Sequence, residues 1–348
     1  MNERKTTNTL LLIIVLPIIF YVLKILSFIF VPLVFSMFIA LLFLPLMRWL
    51  KKKKIPNPLS VFIVILILGG VLRIVGKLIQ LSSKEIVSTK DIFFEKATTK
   101  IEILLTSIEE FFGLKHLEGG NVLIHFFQKD NIAQNFSSTV DFVGDTLSMT
   151  LMTAFFVVLW LGESINFHKV LSNTVLKQKY ASVKTFMKIE NDLIKFIKVK
   201  FIISLFTGIG IGLACHFFEV SFPIFWGLFA FIINFIQMIG SFISVISLAL
   251  FAFVAMEPTS TLFFFVLSIT LVQVLFGGIL EPVFMGKSFS VNIITILVML
   301  MFWGYIWGVP GMIMSIPITV FLKIILEQFP KTQVIANLMS VTNAKVTD

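Results

Sequence analysis

The chain is 348 residues long, 57% apolar and only 14% charged, with 41 phenylalanines and a mean hydropathy of +1.01. Soluble domains run at about 45–50% apolar and about 25% charged, so a soluble fold would be left with hydrophobic outer faces, and an ordinary soluble enzyme is excluded. The net charge of +9 comes from 28 cations against 19 acids, and the lysines gather at the ends of apolar runs, a pattern that orients a membrane protein and does not call for nucleic acid.

The apolar residues form long runs, unlike the roughly ten-residue alternating segments of a transmembrane barrel, so the expected class is an all-α polytopic membrane protein. A span needs about 20 apolar residues, because the hydrocarbon core is about 30 Å thick and a helix rises about 1.5 Å per residue. Leu10 to Leu50 is long enough for two spans, with a tight turn expected around Ser27 to Pro32. The first run continues past the length of a cleavable signal peptide, and none is expected. Leu59 to Ile79 makes a third span, with Arg73 and Lys77 near its end expected to snorkel to headgroups. In the segment 81–145, Phe94, Ala97, Ile101, Leu104, Leu105, Ile108, Phe111 and Phe112 recur at three- and four-residue spacing. That spacing predicts an amphipathic helix, ended by Gly113 and Gly119-Gly120.

Val143 to Leu161 is a fourth span, followed by a basic linker, 163–198, in which lysines alternate with Phe186, Ile189, Leu193, Phe196 and Ile197. The basic stretch, read as running on to Lys200, is either an amphipathic helix on the anionic inner leaflet or a solvated charged face. Val199 to Phe218 and residues 259–280 are the fifth and sixth plain spans. Charge sets the direction: the lysines at 51–54 flank the first hairpin, the segment 81–145 is net −4 and the segment 163–200 net +5. These signs place 81–145 outside and both termini in the cytoplasm. The expected division is N-terminal spans over 1–162, the linker, a transport region over 199–330 and a cytoplasmic tail over 331–348.

Two apolar stretches carry breaks that plain spans avoid. In Ile224 to Met256 the break is Asn234, Gln237 and Gly240-Ser241; in Ile293 to Leu326 it is Gly304, Gly308, Pro310-Gly311 and Pro317. Irregular backbone at membrane depth is tolerated only where protein or a water-filled cavity satisfies the freed peptide groups. Each stretch is either one crossing or a re-entrant hairpin of two half-helices, giving eight spans or six spans with two hairpins. Hairpins are favoured, because each broken stretch follows a plain span and the two units would then form an inverted repeat; the layouts differ in the side they give Lys287. Gly208, Gly210 and Gly212 let helices approach closely. The lone Cys215 cannot form an internal disulfide, and His116, His125, His168 and His216 have no metal-ligand spacing, so no metal or cofactor is expected.

The run from Trp226 through Asn234 to Gly240-Ser241, the run Leu280-Glu281-Pro282-Val283-Phe284-Met285-Gly286-Lys287, and the run from Phe302-Trp303-Gly304 through Pro310-Gly311 to Pro317 and Lys323 together resemble the signatures of the autoinducer-2 exporter family. Lys200, Ser204, Thr207 and Gly208 also fall in the family's pattern. The resemblance covers about residues 190–330 and implies a bacterial inner-membrane exporter of autoinducer-2 or a related small polar solute. It implies elevator-like movement and a homo-oligomer, a pentamer. The sequence departs from that pattern at Gln237 and Ser247, where proline is usual, and at Gly278.

Glu281, a carboxylate before proline at the end of a span, could bind a cation, take up a proton or hold the broken helices together. Asn234 and Gln237 could hydrogen-bond the oxygens of a small polyol or satisfy helix ends. The candidate substrate-binding set is therefore Asn234, Gln237, Gly240, Ser241, Glu281 and Thr207, with Pro282, Gly286, Gly308, Pro310, Gly311 and Pro317 as candidate helix breaks and hinges. Besides its solute, the expected partners are lipids and further copies of the chain. The alternatives are a sodium/proton antiporter and a non-transporting envelope or signalling scaffold. No His-Glu-x-x-His motif or Gly-x-Ser-x-Gly elbow supports an enzyme.

Overall fold

The computed structural model describes residues 3–112, 149–162, 183–256, 260–285, 291–327 and 332–340, and its regular elements are helices. They are α1 Glu3–Ile25, α2 Ser27–Lys52, α3 Asn57–Phe112, α4 Met149–Gly162, α5 Val183–Phe217, α6 Pro223–Ile233, α7 Ile239–Ala255, α8 Ser260–Gln273, α9 Glu281–Met285, α10 Ile293–Glu327 and α11 Gln333–Met339. A π-helical stretch, Val274–Leu280, joins α8 to α9. Among the described residues five stretches are long and apolar enough to cross a membrane: Ser27–Lys52, Asn57–Ser88, Glu190–Phe217, Ser260–Met285 and Ile293–Glu327. At most 44% of the apolar part of any of them is buried within the chain. The remainder, with Phe263, Ile294 and Met301 largely exposed, is an apolar surface suited to lipid tails and not to water. The protein is a polytopic membrane protein.

Three local expectations are corrected. The turn expected over Ser27–Pro32 falls at the single residue Leu26, and Pro32 lies inside α2. The third span does not stop near Ile79: α3 continues without interruption to Phe112. The basic helix and the fifth span are one helix, α5. The side chains of the stripe from Phe94 to Phe112, Gly113 and Gly119-Gly120, the segments 143–148 and 163–182, and Gly286 and Lys287 lie outside the described residues.

The chain divides into two compact units. One comprises Met1–Leu68, Met149–Val199 and Phe284–Asp348. Here Ala40 and Met47 of α2 pack with Val61 and Val64 of α3 and Val157 and Leu161 of α4. Asn57 Nδ2 donates to the Gly162 carbonyl at 3.2 Å, and the Arg48 guanidinium pairs with the Glu190 carboxylate. Trp303 and Trp307 of α10 pack with Val31. The Trp307 indole donates to the Leu23 carbonyl at 3.0 Å, one of the carbonyls that a helix leaves open in its last turn.

Within α10 the chain reverses at Gly308, whose φ of 63° and ψ of −145° lie in a region essentially restricted to glycine. A side chain at Gly311 would overlap the Trp303 carbonyl. Residues eight apart on a straight helix are separated by about 12 Å, so the backbone doubles back here, with Pro310 at the bend and Pro317 buried in the second limb.

The other unit comprises Gly69–Ser148 and Lys200–Val283. Its core gathers Ile211 and Cys215 of α5, Trp226 and Ala230 of α6, Leu248 and Ala252 of α7, and Phe265 and Ile269 of α8. Gly208 and Gly227 let α5 and α6 meet at backbone distance, since a Cβ on Gly208 would lie 2.7 Å from the Gly227 carbonyl oxygen. Between α6 and α7 the chain reverses over 234–238. Met238, at φ 63° and ψ −51°, centres a γ-turn closed by the Ile239 N–H on the Gln237 carbonyl at 2.7 Å, a strained form of the turn. A side chain at Gly240 would overlap the Ile233 carbonyl. Lys100 of α3 donates to the Phe253 carbonyl at 2.9 Å and to that of Met256, and Glu85 accepts the Phe222 N–H at 2.9 Å.

Both reversals thus depend on a glycine pressed against the limb before it. Gly240→Ala and Gly311→Ala should each destabilise the detergent-purified protein by about 1–3 kcal/mol, the usual cost of overpacking. Gly76→Ala, with open space around it, should leave the thermal midpoint unchanged or slightly raised. Equal midpoints for all three variants would show that neither reversal needs its glycine.

Candidate functional site

The unit containing Lys200–Val283 holds a chain of buried polar groups inside otherwise apolar helices. Lys200 enters on α5, in the stretch Glu190–Phe217 that is apolar enough to cross a membrane, and is only 3% exposed. Its Nζ lies 2.9 and 3.0 Å from the two carboxylate oxygens of Glu281, itself 4% exposed, and donates to Gln237 Oε1 at 2.9 Å. The ammonium therefore spends its three protons on one carboxylate and one carboxamide.

Each partner is delivered by a local irregularity. Gln237 stands in the γ-turn beside Met238, where the backbone has left helical geometry. Glu281 follows the π-helical stretch, and its N–H bonds back five residues to the Phe276 carbonyl. A π turn inserts extra chain and re-aims the side chains that follow it. Glu281 thus opens α9, with Pro282 exposed beside it.

A second run of hydrogen bonds continues from the same break. Asn234 Nδ2 donates to Ser204 Oγ at 3.1 Å, and Ser241 Oγ lies 3.5 Å from Asn234 Oδ1. Ser244 Oγ donates to the Ser241 carbonyl at 3.1 Å, and Gln273 Nε2 donates to Ser244 Oγ at 2.6 Å. The Thr207 hydroxyl bonds instead to its own helix, at the Ile203 carbonyl, 2.9 Å away.

The structure thus brings Glu281 and Gln237 together at Lys200, sets Asn234 and Ser241 in a second hydrogen-bonded group that starts from the same helix break, and places Gly240 where α7 passes against α6. Gly308, Pro310, Gly311 and Pro317 belong to the other unit, and Gly286 lies outside the described residues. Lys200 stands apart from the basic run, read as a membrane-surface helix or a solvated face, because its ammonium is buried. A signal for it was present: Lys200, Ser204, Thr207 and Gly208 repeat at helical spacing on one face of an apolar helix. Ser244 and Gln273 are further members that the sequence reading did not single out. A cleft of about 460 Å³ near the C-terminal end of α5, lined by Glu85, His216, Glu219 and Ser221 among others, includes none of these groups.

Chemically, the arrangement offers a carboxylate that can exchange its ammonium for a proton or a cation. It also offers amide and hydroxyl groups that can trade their mutual hydrogen bonds for those of a polar solute. Removing one partner of a buried ion pair costs about 3–5 kcal/mol, whereas replacing both by apolar groups is often neutral. Lys200→Met and Glu281→Met should therefore each lower the thermal midpoint more than the double variant does. Additive losses in the double variant would show that the two side chains are not coupled.

The comparisons with known proteins agree with this membrane architecture. The sequence model of the AI-2E family transporter matches residues 10–331. A "Putative transport protein" of Haemophilus influenzae is 26% identical over 348 aligned residues, covering 95% of each chain. The AI-2 transport protein TqsA of Escherichia coli is 25% identical over 326 residues, covering 90% of each chain. A relative from Borreliella burgdorferi is 28% identical over 190 residues, covering 54% of this chain and 52% of its own. The chain belongs to the AI-2E family, a family of transport proteins and not of enzymes.

Proposed function

We propose that this member of the AI-2E family exports a small polar solute, autoinducer-2 or a chemically related polyol, across the bacterial inner membrane. The observation that carries the reading is the ion pair of Lys200 with Glu281, buried inside apolar helices and joined by Gln237 at a broken helix. Ionisable groups at membrane depth are costly and generally mark a substrate or ion path. The printed name of the TqsA relative supports autoinducer-2 as the first solute to test.

In this reading α6–α7 and the two limbs of α10 are re-entrant hairpins, and with six full spans they form an inverted repeat. The termini lie in the cytoplasm. Broken helices at mid-membrane expose peptide groups to a bound solute, and Asn234, Gln237, Gly240, Ser241, Glu281 and Thr207 form the solute-binding set. Gly286, Gly308, Pro310, Gly311, Pro317 and Pro282 serve as hinges. The transport region, 199–330, moves like an elevator with the polar system of 200–283 as its cargo site, while the spans of 1–162 act as scaffold and copies of the chain assemble as a homo-oligomer.

A second reading, exchange of sodium for protons, is favoured by the same carboxylate: a metal cation or a proton can replace the Lys200 ammonium at Glu281. Flux from loaded proteoliposomes separates the two. Export predicts autoinducer-2 efflux that falls at least tenfold in Glu281→Gln and in Asn234→Ala, with the variants still folded and inserted. Antiport predicts sodium-induced pH changes that vanish in Glu281→Gln and no movement of autoinducer-2. Wild-type flux of both solutes in both variants would refute the site.

A further inference from the structure

Gln273 is 6% exposed on α8, and its carboxamide is half used. Nε2 donates to Ser244 Oγ at 2.6 Å, and Ser244 already spends its own proton on the Ser241 carbonyl. The amide orientation is therefore fixed by its neighbour: the serine oxygen needs a donor there, and Oε1 faces the other way. Oε1 has no hydrogen-bond partner among the described residues. A buried amide oxygen left so in an apolar helix carries a desolvation cost.

The second observation is the floor beneath it. Gly277 lies one turn beyond Gln273, inside the π-helical stretch. A Cβ built on Gly277 would stand 3.7 Å from Gln273 Oε1 and 3.4 Å from Ser241 Oγ. Both oxygens thus border the same point above a residue with no side chain. Ser241 belongs to the run that reaches Asn234, and the stretch beyond Gly277 ends at Glu281. The point belongs to the hydrogen-bonded group of Asn234, Ser241, Ser244 and Gln273.

We propose that Gln273 Oε1 and Ser241 Oγ, over Gly277, form a subsite for a hydroxyl group of the transported solute. The hydroxyl donates to the carboxamide oxygen, and its lone pair takes the proton that Ser241 Oγ otherwise offers to Asn234 Oδ1 at 3.5 Å. Gly277 brings no side chain to that point, where a Cβ would already be in contact with both oxygens. A neutral acceptor beside a hydroxyl selects a polyol over an apolar molecule, because an apolar group would leave the buried Gln273 Oε1 unpaired. The subsite rests on the export reading and extends it to the recognition of one hydroxyl.

The geometry offers a test that leaves the charges untouched. In Gly277→Ala the new methyl group meets both oxygens at ordinary contact distance, so it fills the subsite without a clash. Gly278→Ala makes the same change one residue on, where only Val274 Cγ1 at 3.9 Å is near, and serves as the control. The full chain is reconstituted in phosphatidylethanolamine–phosphatidylglycerol vesicles, and initial efflux of autoinducer-2 is measured against its concentration.

Gly277→Ala and Gln273→Leu should raise the half-saturation concentration about tenfold, near the upper range for one lost hydrogen bond, with maximal rates within about twofold of wild type. Gly278→Ala should match wild type. Unchanged half-saturation in Gly277→Ala, alongside impaired Glu281→Gln, would overturn the subsite and leave the export reading standing. Absence of autoinducer-2 flux in the wild type would overturn the export reading itself, and with it this assignment. An effect of Gly277→Ala on sodium flux alone would make the site a cation site and refute the hydroxyl assignment.

Discussion

The ion pair of Lys200 with Glu281 is the constraint around which its unit is arranged. Two charges taken out of water cost several kcal/mol each, and their attraction offsets that cost only when the remaining protons and lone pairs are also satisfied. Gln237 supplies the third acceptor for the ammonium. To do so it must stand where α6 has ended and α7 has not begun. The strained γ-turn at Met238 and the bare backbone at Gly240 are the local conditions for that position. On the other side, the π-helical stretch brings Glu281 to the same ammonium. Two departures from ideal helix geometry, the γ-turn and the π turn, therefore serve one electrostatic contact.

The two reversals share a device although they lie in different units. Gly240 presses on the Ile233 carbonyl and Gly311 on that of Trp303. In each, the limb after the turn approaches the limb before it more closely than any side chain would permit. They differ in how the turn itself is made. Gly308 adopts a positive φ at no steric cost, while Met238 does so against its own Cβ. The reversal that carries the ion pair is thus the strained one, and the other is built from residues that accept the geometry freely.

Much of this was legible in the sequence. Long apolar runs and charge at their ends are enough for a polytopic helical protein, and Gly, Pro and Asn inside runs longer than a span mark where helices break. Glu281, Gln237 and Asn234 stand out because the surrounding residues are almost all apolar. What escaped the sequence has physical reasons. Apolar periodicity does not stop at a membrane surface, so nothing marked the continuity of α3 past Ile79 or of α5 through Lys200. Lys200 sits at the end of a lysine-rich run and looks like its neighbours, although α5 turns its side chain into the unit. The π-helical stretch Val274–Leu280 has no compositional signature, and without it the relation of Gln273 and Gly277 to Glu281 cannot be read from spacing. The break at Leu26 contains no glycine or proline to announce it.

Whether the pair carries transport or merely joins helices can be decided by exchanging its two ends. In Lys200→Glu combined with Glu281→Lys the attraction is retained, and the Gln237 carboxamide can turn its NH₂ group toward the new carboxylate. The account predicts a thermal midpoint close to wild type and autoinducer-2 efflux from proteoliposomes reduced at least tenfold, because the exchangeable carboxylate no longer stands at the π-helix end. Wild-type efflux from the folded double variant would contradict it and reduce the pair to a structural link.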